Sequence, residues 1–325
     1  MRKLIPEFNQ QSFTQIIFPH KNSDWKEYLQ EAENNFIKII EAIIPYQKCY
    51  IICDNIQRVK KKLPDSDNLI FIEYETDDTW ARDISAISIK NNNNTELLDF
   101  NFNGWGDKFE AHKDNEMSQS LKSHYPSPMK QIDFILEGGA IETNGQGLLL
   151  TTANCMLNKN RNSSYTKEEI TQKLQNEFGI DDVLYLYNGY LAGDDTDSHI
   201  DTLARFIDEK TILYVQSNDK RDEHYEALKL MEDELKNFAK DFQLNLLAVP
   251  MCEAIYFKGE RLPATYANFL FVNGAVLIPT YGVKEDIQAL SIFQNFFQDR
   301  DIIGVDCQTL IKQHGSLHCV TMNFV

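Results

Sequence analysis

The sequence has no apolar run that approaches the ~18 consecutive apolar residues of a membrane-spanning helix. Near its start, Pro6 and Glu7 interrupt the segment in which a secretory signal peptide would need an unbroken apolar stretch. Because neither feature of a secreted or membrane-embedded protein is visible, we expect a cytoplasmic protein.

Cysteine is scarce and irregularly spaced. None of the six cysteines forms a C-x-x-C pair, which argues against both a disulfide framework and a zinc knuckle. Most of them are expected to be buried thiols that behave as small hydrophobic groups. They are Cys49, Cys53, Cys155, Cys252, Cys307 and Cys319.

Positive charge is in deficit. The chain has 32 Lys and Arg against 49 Asp and Glu, which gives a formal net charge of −17. Nucleic acid and anionic membranes bind clustered Lys and Arg, so the deficit argues against both as partners. A small cationic ligand would be attracted. The alternative is that the excess acid is solvated surface that keeps the protein soluble.

No Pro/Gly/Ser-rich linker and no shift in composition divides the chain. Four stretches with helical periodicity alternate with short runs rich in Ile, Val, Leu, Phe and Tyr, which predict strands of 5 to 8 residues. We therefore expect one α/β domain over residues 1–325. The predicted helices cover residues 24–45, 166–179, 222–242 and 284–298.

Two of these helices carry specific signals. Thr166 with Glu169 predicts a capping box at the start of the second helix, and Gly179 predicts its end. The fourth helix is expected to bury one apolar face, formed by Ile287, Leu290, Phe293 and Phe297.

Polar residues return inside strand-like runs at a nearly regular interval. The gaps between the marker positions are 55, 62, 68 and 51 residues, and one fifth of the chain is 65 residues. Five similar units, each bringing the end of one strand to a common centre, would produce this spacing; chance is the competing explanation. The markers are Asp83, Gly138, Ile200, Asn268 and Cys319.

Cys319 follows a Gly-containing turn in the segment HGSLHCVTMNFV and precedes an apolar run that predicts a strand. A reactive cysteine needs a cation or hydrogen-bond donors near its thiolate. Neighbours on a strand point to opposite faces, so His318 is not expected to be the base, and the partner must come from elsewhere in the chain. A buried structural thiol is the alternative.

His199 and Asp201 lie two residues apart, so on a strand both would face the same side and could address one ligand together. Asp194, Asp195 and Asp197 precede them on a predicted turn. This turn lacks the central Gly and the closing Glu of a calcium loop, but it could hold a cationic substrate. An acidic turn beside an exposed histidine is the alternative.

Three further stretches suit a cation site. Asp83 is expected to start a strand, and Trp80 could cover a flat cation held there, although an ordinary salt bridge of Arg82 would also suit this stretch. Glu137 precedes two glycines, which favour close backbone approach or positive φ, or simply a hairpin bend. Asn268, an amide inside an apolar strand, is expected to form a buried structural hydrogen bond.

Eight short motifs follow one another from residue 80 to residue 319, nearly the whole chain. They are W-A-R-D at 80–83, F-N-G-W-G at 102–106, E-G-G at 137–139, L-L-T-T at 149–152, N-K-N-R-N at 158–162, G-D-D-T-D-S-H-I-D at 193–201, Y-A-N-F at 266–269 and G-S-L-H-C at 315–319. In this order they resemble the agmatine deiminase family of guanidino-group-modifying enzymes.

The resemblance implies the pentein fold, a five-bladed pseudo-symmetric α/β propeller, and hydrolysis of agmatine to N-carbamoylputrescine and ammonia on the way to putrescine. It implies that Asp83 and Asp201 bind the guanidinium. Cys319 would attack the central carbon and form an amidino-cysteine intermediate, while His199 would transfer the protons. No metal or organic cofactor is needed. The sequence does not show the oligomeric state, and a homo-oligomer is compatible with it.

The resemblance also bears on the substrate. In the family an acid four residues before the histidine binds the far amine of agmatine, and here that residue is Asp195. Deimination of arginine or peptidyl-arginine is the alternative, with Arg205 or Arg161 binding a substrate carboxylate. The sequence departs from the W-x-R-D-T-G-P form after Asp83, which alters the loop beside the pocket. Further implied substrate contacts are Trp80, Trp105, Glu137 and Gly315.

A binding role is the alternative from a different class, because the pentein fold also serves a ribosome-associated factor without catalysis. Such a role would have no need for a thiol, a histidine with an aspartate beside it and a second carboxylate in one chain.

Overall fold

A computed structural model describes residues 2–325 as a mixed α/β structure. Its strands are β1 (Arg2–Leu4), β2 (Phe13–Ile17), β3 (Lys48–Cys53), β4 (Leu69–Glu73), β5 (Ile87–Asn91), β6 (Asn94–Asn101), β7 (Met129–Ile135), β8 (Glu142–Thr143), β9 (Leu148–Thr152), β10 (Asp182–Leu186), β11 (Ala204–Phe206), β12 (Thr211–Gln216), β13 (Asn245–Pro250), β14 (Tyr256–Phe257), β15 (Glu260–Arg261), β16 (Leu270–Val272), β17 (Ala275–Thr280), β18 (Asp301–Asp306) and β19 (Thr321–Phe324).

Helices connect these strands. The α-helices are α1 (Leu29–Ile43), α2 (Ile56–Lys60), α3 (Ala81–Ile84), α4 (Gly104–Asp107), α5 (His112–Ser120), α6 (Ala153–Met156), α7 (Lys159–Asn162), α8 (Lys167–Phe178), α9 (Tyr225–Phe242) and α10 (Glu285–Phe296). Short 3₁₀ segments lie at Asp24–Tyr28, Lys122–His124, Gly138–Ala140, Ile200–Thr202 and Leu310–Gln313.

Five sheets share one construction. In each, two antiparallel strands are followed by a helix that returns the chain to a third strand, parallel to the second. The antiparallel pairs are β19–β2, β5–β6, β8–β9, β11–β12 and β16–β17, and the returning helices are α1, α5, α8, α9 and α10. β4 and β1 extend two sheets to four strands, and β14–β15 is a separate hairpin.

This repeated unit explains the spacing of the polar markers, but their position in it differs from the prediction. Each marker lies in the connection that leads into the first strand of a pair, and not at the end of a strand. Asp83 precedes β5, Gly138 precedes β8, Ile200 precedes β11, Asn268 precedes β16 and Cys319 precedes β19. Connections can place polar groups in the interior without interrupting the strand pairing that follows.

The local conformation at these markers is helical or turn-like, so the strand predictions for Asp83 and His199 are wrong, whereas the strand predicted after Cys319 is confirmed as β19. Asp83 lies in α3, where its N–H donates to the carbonyl of Trp80 at 3.0 Å. His199 precedes a 3₁₀ turn, Ile200–Thr202, and its carbonyl accepts from the N–H of Thr202 at 3.2 Å. Cys319 lies in a turn that ends where β19 begins. Hydrogen bonds between near neighbours in sequence replace the strand ladder at each place.

The specific predictions for the second and fourth helices have different outcomes. The capping box is confirmed: Thr166 Oγ1 accepts from the N–H of Glu169, Glu169 Oε2 accepts from the N–H of Thr166, and Gly179 ends α8 with a φ of +61°. The prediction for Ile287 is wrong, because this side chain is 77% exposed. The rest of the predicted face is confirmed: α10 packs on β13 and β18, Phe293 and Phe297 are buried, and Leu290 packs against the core.

A continuous cluster of buried apolar side chains lies between the sheets and their helices. Burial of one large aromatic side chain contributes roughly 2–3 kcal/mol to folding, so this cluster holds the connections of the five units in place. Its largest fully buried members include Trp25, Tyr266, Phe36, Phe178 and Phe269. Within residues 2–325, every helix is too short or too polar to span a bilayer.

Candidate active site

The connections that lead into β5, β8, β11, β16 and β19 meet in the interior of the protein. The N–H of Gly139 donates to Asp83 Oδ1 at 2.9 Å. A Cβ atom added to Gly139 would lie only 3.1 Å from Asp201 Oδ2. Asn268 Nδ2 lies 3.3 Å from Cys319 Sγ and 3.4 Å from the carbonyl of Asp201. Residues from five separate units therefore contact one another directly.

The two glycines after Glu137 are required by close approach. A Cβ atom on Gly139 would lie 2.6 Å from His199 Nδ1, and one on Gly138 would lie 2.2 Å from the carbonyl oxygen of Arg82. Real Cβ atoms are not found this close to other heavy atoms, so any larger residue would displace the groups around it. Of the readings that the sequence left open, close backbone approach is confirmed.

Cys319 is nearly buried, and its sulfur lies between an amide and a carboxylate. Sγ is 3.3 Å from Asn268 Nδ2 and 3.9 Å from Asp201 Oδ2. Asn268 Oδ1 accepts the backbone N–H of His318 at 2.9 Å and lies 3.4 Å from the sulfur, so the amide contacts Cys319 Sγ through both of its polar atoms. Burial, with the charges of Asp201 and Asp83, raises the pKa of the Cys319 thiol well above its ordinary value. The thiol is therefore protonated at neutral pH.

His199 is 1% exposed, and neither of its ring nitrogens forms a hydrogen bond within residues 2–325. Nδ1 lies 3.6 Å from Asp83 Oδ1. Burial lowers the pKa of His199, but the nearby Asp83 carboxylate and the Cys155 thiol group raise it, and the balance lies well above the ordinary value. The ring can therefore carry a proton at neutral pH while its nitrogens remain available to a ligand.

Two buried carboxylates flank this histidine and have opposite pKa shifts. Asp83 Oδ2 accepts from Trp105 Nε1 at 2.9 Å, and burial raises the pKa of Asp83 despite the charge of His199. Asp201 Oδ2 is 2.7 Å from His318 Nδ1, whereas Asp201 Oδ1 has no partner within residues 2–325. Burial would raise the pKa of Asp201, but the hydrogen bond and charge of His318 lower it below its ordinary value.

A cavity of about 190 Å³ opens in front of these groups, and its charged lining is acidic. Among the described residues, no Lys or Arg lines it; the only cationic candidates there are His199 and His314. Trp80, Trp105 and Phe109 provide aromatic walls. The acids of the lining are Asp24, Asp78, Asp83, Asp194, Asp195 and Asp201.

Trp80 forms one wall because residue 315 is glycine. A Cβ atom on Gly315 would lie 2.2 Å from the Trp80 ring, so a larger residue would push the indole away. Trp80 Nε1 donates to Asp78 Oδ2 at 2.9 Å. Burial, together with the charge of Asp24, raises the pKa of Asp78 to about 7. The sequence reasoning did not single out Asp78, although it stands two residues before the tryptophan.

Asp195 lines the more exposed part of the cavity, with 46% of its side chain exposed. Its Oδ2 lies 3.8 Å from His314 Nδ1. Burial raises its pKa, while the neighbouring His314 acts in the opposite direction. A carboxylate in this place can meet the far end of a ligand whose near end lies beside Cys319.

Eight of the nine residues expected at the site line this cavity: Cys319, His199, Asp83, Asp201, Trp80, Trp105, Asp195 and Gly315. Glu137 does not, and its expected contact with substrate needs correction. Its carboxylate is 1% exposed and accepts from Arg161 Nε at 2.7 and 3.0 Å. The guanidinium of Arg161 neutralises it outside the cavity lining.

The two arginines considered for a substrate carboxylate are also engaged elsewhere. Arg161 additionally donates from Nη1 to Asp197 Oδ2 at 2.8 Å. Arg205 is fully buried and donates to Glu142 Oε1 at 2.5 Å and to Glu7 Oε2 at 2.8 Å. Neither lines the cavity, so neither meets a ligand there.

Two buried clusters have donor atoms within 4.8 Å of one another and could in principle ligate a metal ion. In each cluster an arginine already binds a carboxylate, Arg161 on Glu137 and Arg205 on Glu142, so a cation would have to displace a guanidinium. The clusters are Glu137, Cys155 and His199, and Glu7, Glu142 and His318.

Sequence reasoning understated one residue of the site. It assigned Asn268 a structural hydrogen bond, whereas the amide contacts both the Cys319 sulfur and the carbonyl of Asp201. The available signal was the unusual place of an amide at the start of an apolar strand. The ring partners of His318 had no signal in the sequence, because the residues involved lie far apart in the chain.

Known proteins resemble this chain over nearly its whole length. The family model for Porphyromonas-type peptidyl-arginine deiminases matches residues 3–324. The structure of a serine variant of C. jejuni agmatine deiminase with substrate bound shares 40% identity at a TM-score of 0.96, covering 100% of this chain and 96% of that chain.

Two further proteins are similar over nearly their whole length. A structure described as "Putative Arginine Deiminase from Porphyromonas gingivalis" shares 45% identity at a TM-score of 0.95, covering 100% of this chain and 98% of that chain. A "Putative agmatine deiminase" of Vibrio parahaemolyticus is 29% identical and covers 97% of this chain and 94% of its own length.

The fold extends to more distant enzymes. An amidinotransferase from Microseira wollei has a TM-score of 0.58 at 12% identity, covering 98% of this chain and 96% of that chain, which shows a shared fold alone. The molecule is thus a mixed α/β protein with the pentein fold of amidinotransferases. The chain belongs to the Porphyromonas-type peptidyl-arginine deiminase family. The resemblance drawn from the sequence motifs is confirmed.

Proposed function

We propose that this protein is an agmatine deiminase, a hydrolase that converts agmatine and water to N-carbamoylputrescine and ammonia. One observation carries the proposal: a thiol, an unbonded imidazole and two carboxylates meet in a cavity whose lining has no Lys or Arg within the described chain. Agmatine carries two positive charges and no carboxylate, so a wholly acidic lining suits it at both ends.

Asp83 and Asp201 hold the guanidinium. This group is planar, and a carboxylate can bind it through two parallel hydrogen bonds. Asp201 Oδ1 is buried without a partner, which leaves it free to accept a guanidinium N–H. The indole of Trp80 forms a wall of the cavity, and an aromatic face there suits a delocalised cation. Held in this way, the central carbon of the guanidinium is presented to Cys319.

Cys319 is the nucleophile. A bound cation offsets the two negative charges that keep its thiol protonated, and Asn268 Nδ2 donates to the developing thiolate. As the thiolate forms, the thiol proton passes to solvent; the sulfur then attacks the central carbon and gives a neutral tetrahedral adduct. His199 protonates one nitrogen, the C–N bond breaks, and ammonia leaves an amidino-cysteine intermediate, a thiouronium.

His199 also serves the second half of the reaction. Having given up its proton, the neutral ring accepts one from the incoming water as the water oxygen attacks the thiouronium carbon. The C–S bond then breaks, which releases N-carbamoylputrescine and returns Cys319 to the resting state. One imidazole thus acts first as acid and then as base.

Asp195 binds the far ammonium of agmatine. It lines the more exposed part of the cavity, away from the buried Cys319.

The five units are proposed to form a five-bladed propeller within one catalytic domain over residues 1–325. The fold shared with the structural relatives over the full chain, and the construction common to the five sheets, support this arrangement. A small cationic substrate, a cytoplasmic location and a homo-oligomeric assembly belong to the same proposal.

Deimination of arginine is the second candidate, favoured by the 45% identity with the P. gingivalis protein described as an arginine deiminase. Against it, Arg161 and Arg205 bind Glu137 and Glu7, respectively, and are not available to a substrate carboxylate. A binding role without catalysis is the third candidate.

Ammonia release from agmatine, free arginine and an arginine-containing peptide, measured side by side, separates these candidates. We expect release from agmatine at a kcat/KM that exceeds the other two. In the same assay Cys319→Ala should release no ammonia. Its matched control is Cys307→Ala, because Cys307 is a fully buried thiol outside the cavity. A higher kcat/KM for arginine or the peptide would show that agmatine is not the preferred substrate. If none of the three compounds releases ammonia, the binding role without catalysis is the remaining candidate.

A further inference from the structure

His318 is next to the nucleophile in sequence, but its ring lies between two carboxylates. Nδ1 is 2.7 Å from Asp201 Oδ2, and Nε2 is 2.6 Å from Glu7 Oε2. The residue is 1% exposed, so its ring is shielded from bulk solvent. The backbone N–H of His318 is fixed as well, because it donates to Asn268 Oδ1 at 2.9 Å.

Each ring nitrogen of His318 faces a carboxylate oxygen at hydrogen-bond distance. An ionised carboxylate can only accept a hydrogen bond, so a ring nitrogen that faces one must carry hydrogen. Burial would raise the pKa of Glu7, but Arg205 and His318 hold it far below the ordinary value, and the pKa of Asp201 is lowered as well. With both carboxylates in the ionised form, His318 donates from both nitrogens.

Glu7 is itself anchored, so it can hold the far side of the ring. Its Oε2 accepts from Arg205 Nη2 at 2.8 Å and lies 3.4 Å from Arg82 Nη2. Its Oε1 accepts the backbone N–H of Phe271 at 2.9 Å. Arg82 is in α3, Arg205 is in β11 and Phe271 is in β16, so three distant parts of the chain fix this one carboxylate.

The consequence falls on Asp201. His318 binds its Oδ2, and the remaining oxygen, Oδ1, is buried without a partner within residues 2–325. Asp83 has a histidine nearby but no such hydrogen bond from it, and its pKa is shifted in the opposite direction. The two carboxylates that flank the nucleophile are thus held in different ways.

We propose that Glu7 and His318 form a positioning pair, in which an imidazolium fixed by Glu7 orients Asp201 and keeps it ionised, so that its free oxygen receives the substrate guanidinium. This role rests on the proposed deiminase function. His318 does not touch the substrate. It acts through Asp201, and Glu7 acts through His318.

The pair works in a strongly charged setting, and the test must take that setting into account. The titratable and charged groups that face Asp201 or His318 are His199, Asp83, Cys319, Arg82, Arg205, Glu7 and Glu142. Variants are therefore compared by the pH dependence of kcat/KM, which reports the charge on Asp201 and not only the amount of folded protein.

His318→Ala removes both hydrogen bonds and the positive charge. We expect KM for agmatine to rise about 10- to 100-fold, the usual effect of losing a hydrogen bond between charged groups. Without the imidazolium the pKa of Asp201 rises, so the acid limb of kcat/KM moves to higher pH by about one unit. His20→Asn is the control, because His20 is also 1% exposed but lies outside the cavity lining.

Two conservative variants separate orientation from charge. His318→Asn can keep a donor near the position of Nδ1, so KM is expected to recover in part while the acid limb stays displaced. Glu7→Gln keeps an acceptor for Nε2 but removes the charge that stabilises the imidazolium, so the limb moves in the same direction by less. These two variants also serve if His318→Ala does not fold.

A reduced activity with an unshifted pH profile in all folded variants would overturn the positioning role, since a merely structural residue lowers activity equally at every pH. Affinity for guanidinium compounds in a Cys319→Ala background gives a second readout that needs no turnover. There, His318→Asn should weaken binding most at low pH. Failure of the deiminase proposal would appear separately, as wild-type protein that releases no ammonia.

Discussion

The two buried histidines beside the reacting sulfur have opposite surroundings. His199 and His318 are each 1% exposed, but His199 has no hydrogen bond to either ring nitrogen within residues 2–325, whereas His318 uses both. A ring without partners can exchange protons with a bound ligand, whereas a ring whose two nitrogens both face carboxylates is held in one orientation. Free hydrogen-bonding capacity, and not burial, therefore distinguishes the histidine proposed to react from the fixed one.

The same difference divides the two carboxylates. Asp83 lies beside the unbonded ring and has a raised pKa, while Asp201 is bound by the fixed ring and has a lowered pKa. Two carboxylates close together repel each other, so both do not ionise with equal ease. Opposite shifts keep one of them charged before the substrate arrives, and the cationic substrate can then favour ionisation of the other.

The largest effect is expected when the Cys319 sulfur is removed. Cys319→Ala leaves both rings in place, so any turnover by imidazole alone would remain. We expect ammonia release from agmatine to fall below detection, because the covalent intermediate cannot form. The exchange of a buried thiol for a methyl group should leave the circular dichroism spectrum unchanged. Activity equal to that of Cys307→Ala would rule out the covalent route.

Replacing each histidine in turn by asparagine tests most directly whether the two rings have different roles. His199→Asn should lower kcat for agmatine about 10²- to 10⁴-fold, the usual size of general acid–base catalysis, with a smaller change in KM. His318→Asn should change mainly KM. Steady-state kinetics over a range of pH measure both constants, and the same pattern in the two variants would mean that the rings do not have separate roles.

A smaller effect is expected at the far end of the cavity. Asp195→Asn should raise KM for agmatine about 3- to 10-fold, because a partly exposed ion pair contributes little and the ammonium loses one partner. KM for an uncharged-tail alkylguanidine should change less, since that compound has no ammonium. Parallel kinetics with the two compounds test this, and equal changes would remove Asp195 from substrate recognition.

The smallest change concerns the pH at which Cys319 reacts. Because only the thiolate is alkylated, a raised thiol pKa means slow reaction with iodoacetamide at neutral pH and a rate that still increases above pH ~8.5, the ordinary cysteine value. Asp201→Asn removes a nearby negative charge and should move this profile to lower pH. Reaction of the other thiols is subtracted with Cys319→Ala, and a wild-type midpoint below the ordinary value would contradict the expectation.

The sequence was sufficient to single out the groups proposed to react, but not to predict the conformation around them. Cys319, His199, Asp83 and Asp201 each stand in a recognisable motif, and the fold class follows from alternating helix and strand signals. Their connections form helical turns and not strands, because hydrogen bonds such as that between Asp83 N–H and the Trp80 carbonyl are local choices that apolar composition does not reveal.

Other misses arise from tertiary contacts. Ile287 follows the helical periodicity of its segment but lies near the exposed start of α10, whereas Phe293, further along the same predicted face, is buried. Glu137 stands beside the paired glycines, yet Arg161 takes its carboxylate out of the cavity. The bond between His318 and Glu7 joins residues 311 positions apart, and no periodicity or spacing encodes such a pair.

The position of β19 has a consequence for refolding. This strand leads directly from Cys319 and pairs with β2, from Thr321 opposite Ile16 to Phe324 opposite Phe13. Contacts between distant segments form late, because the entropy of closing a long loop must be overcome before they stabilise the chain. After dilution from denaturant, helical signal should therefore return before the nucleophile reaches its place, and recovery of enzymatic turnover should lag behind recovery of ellipticity.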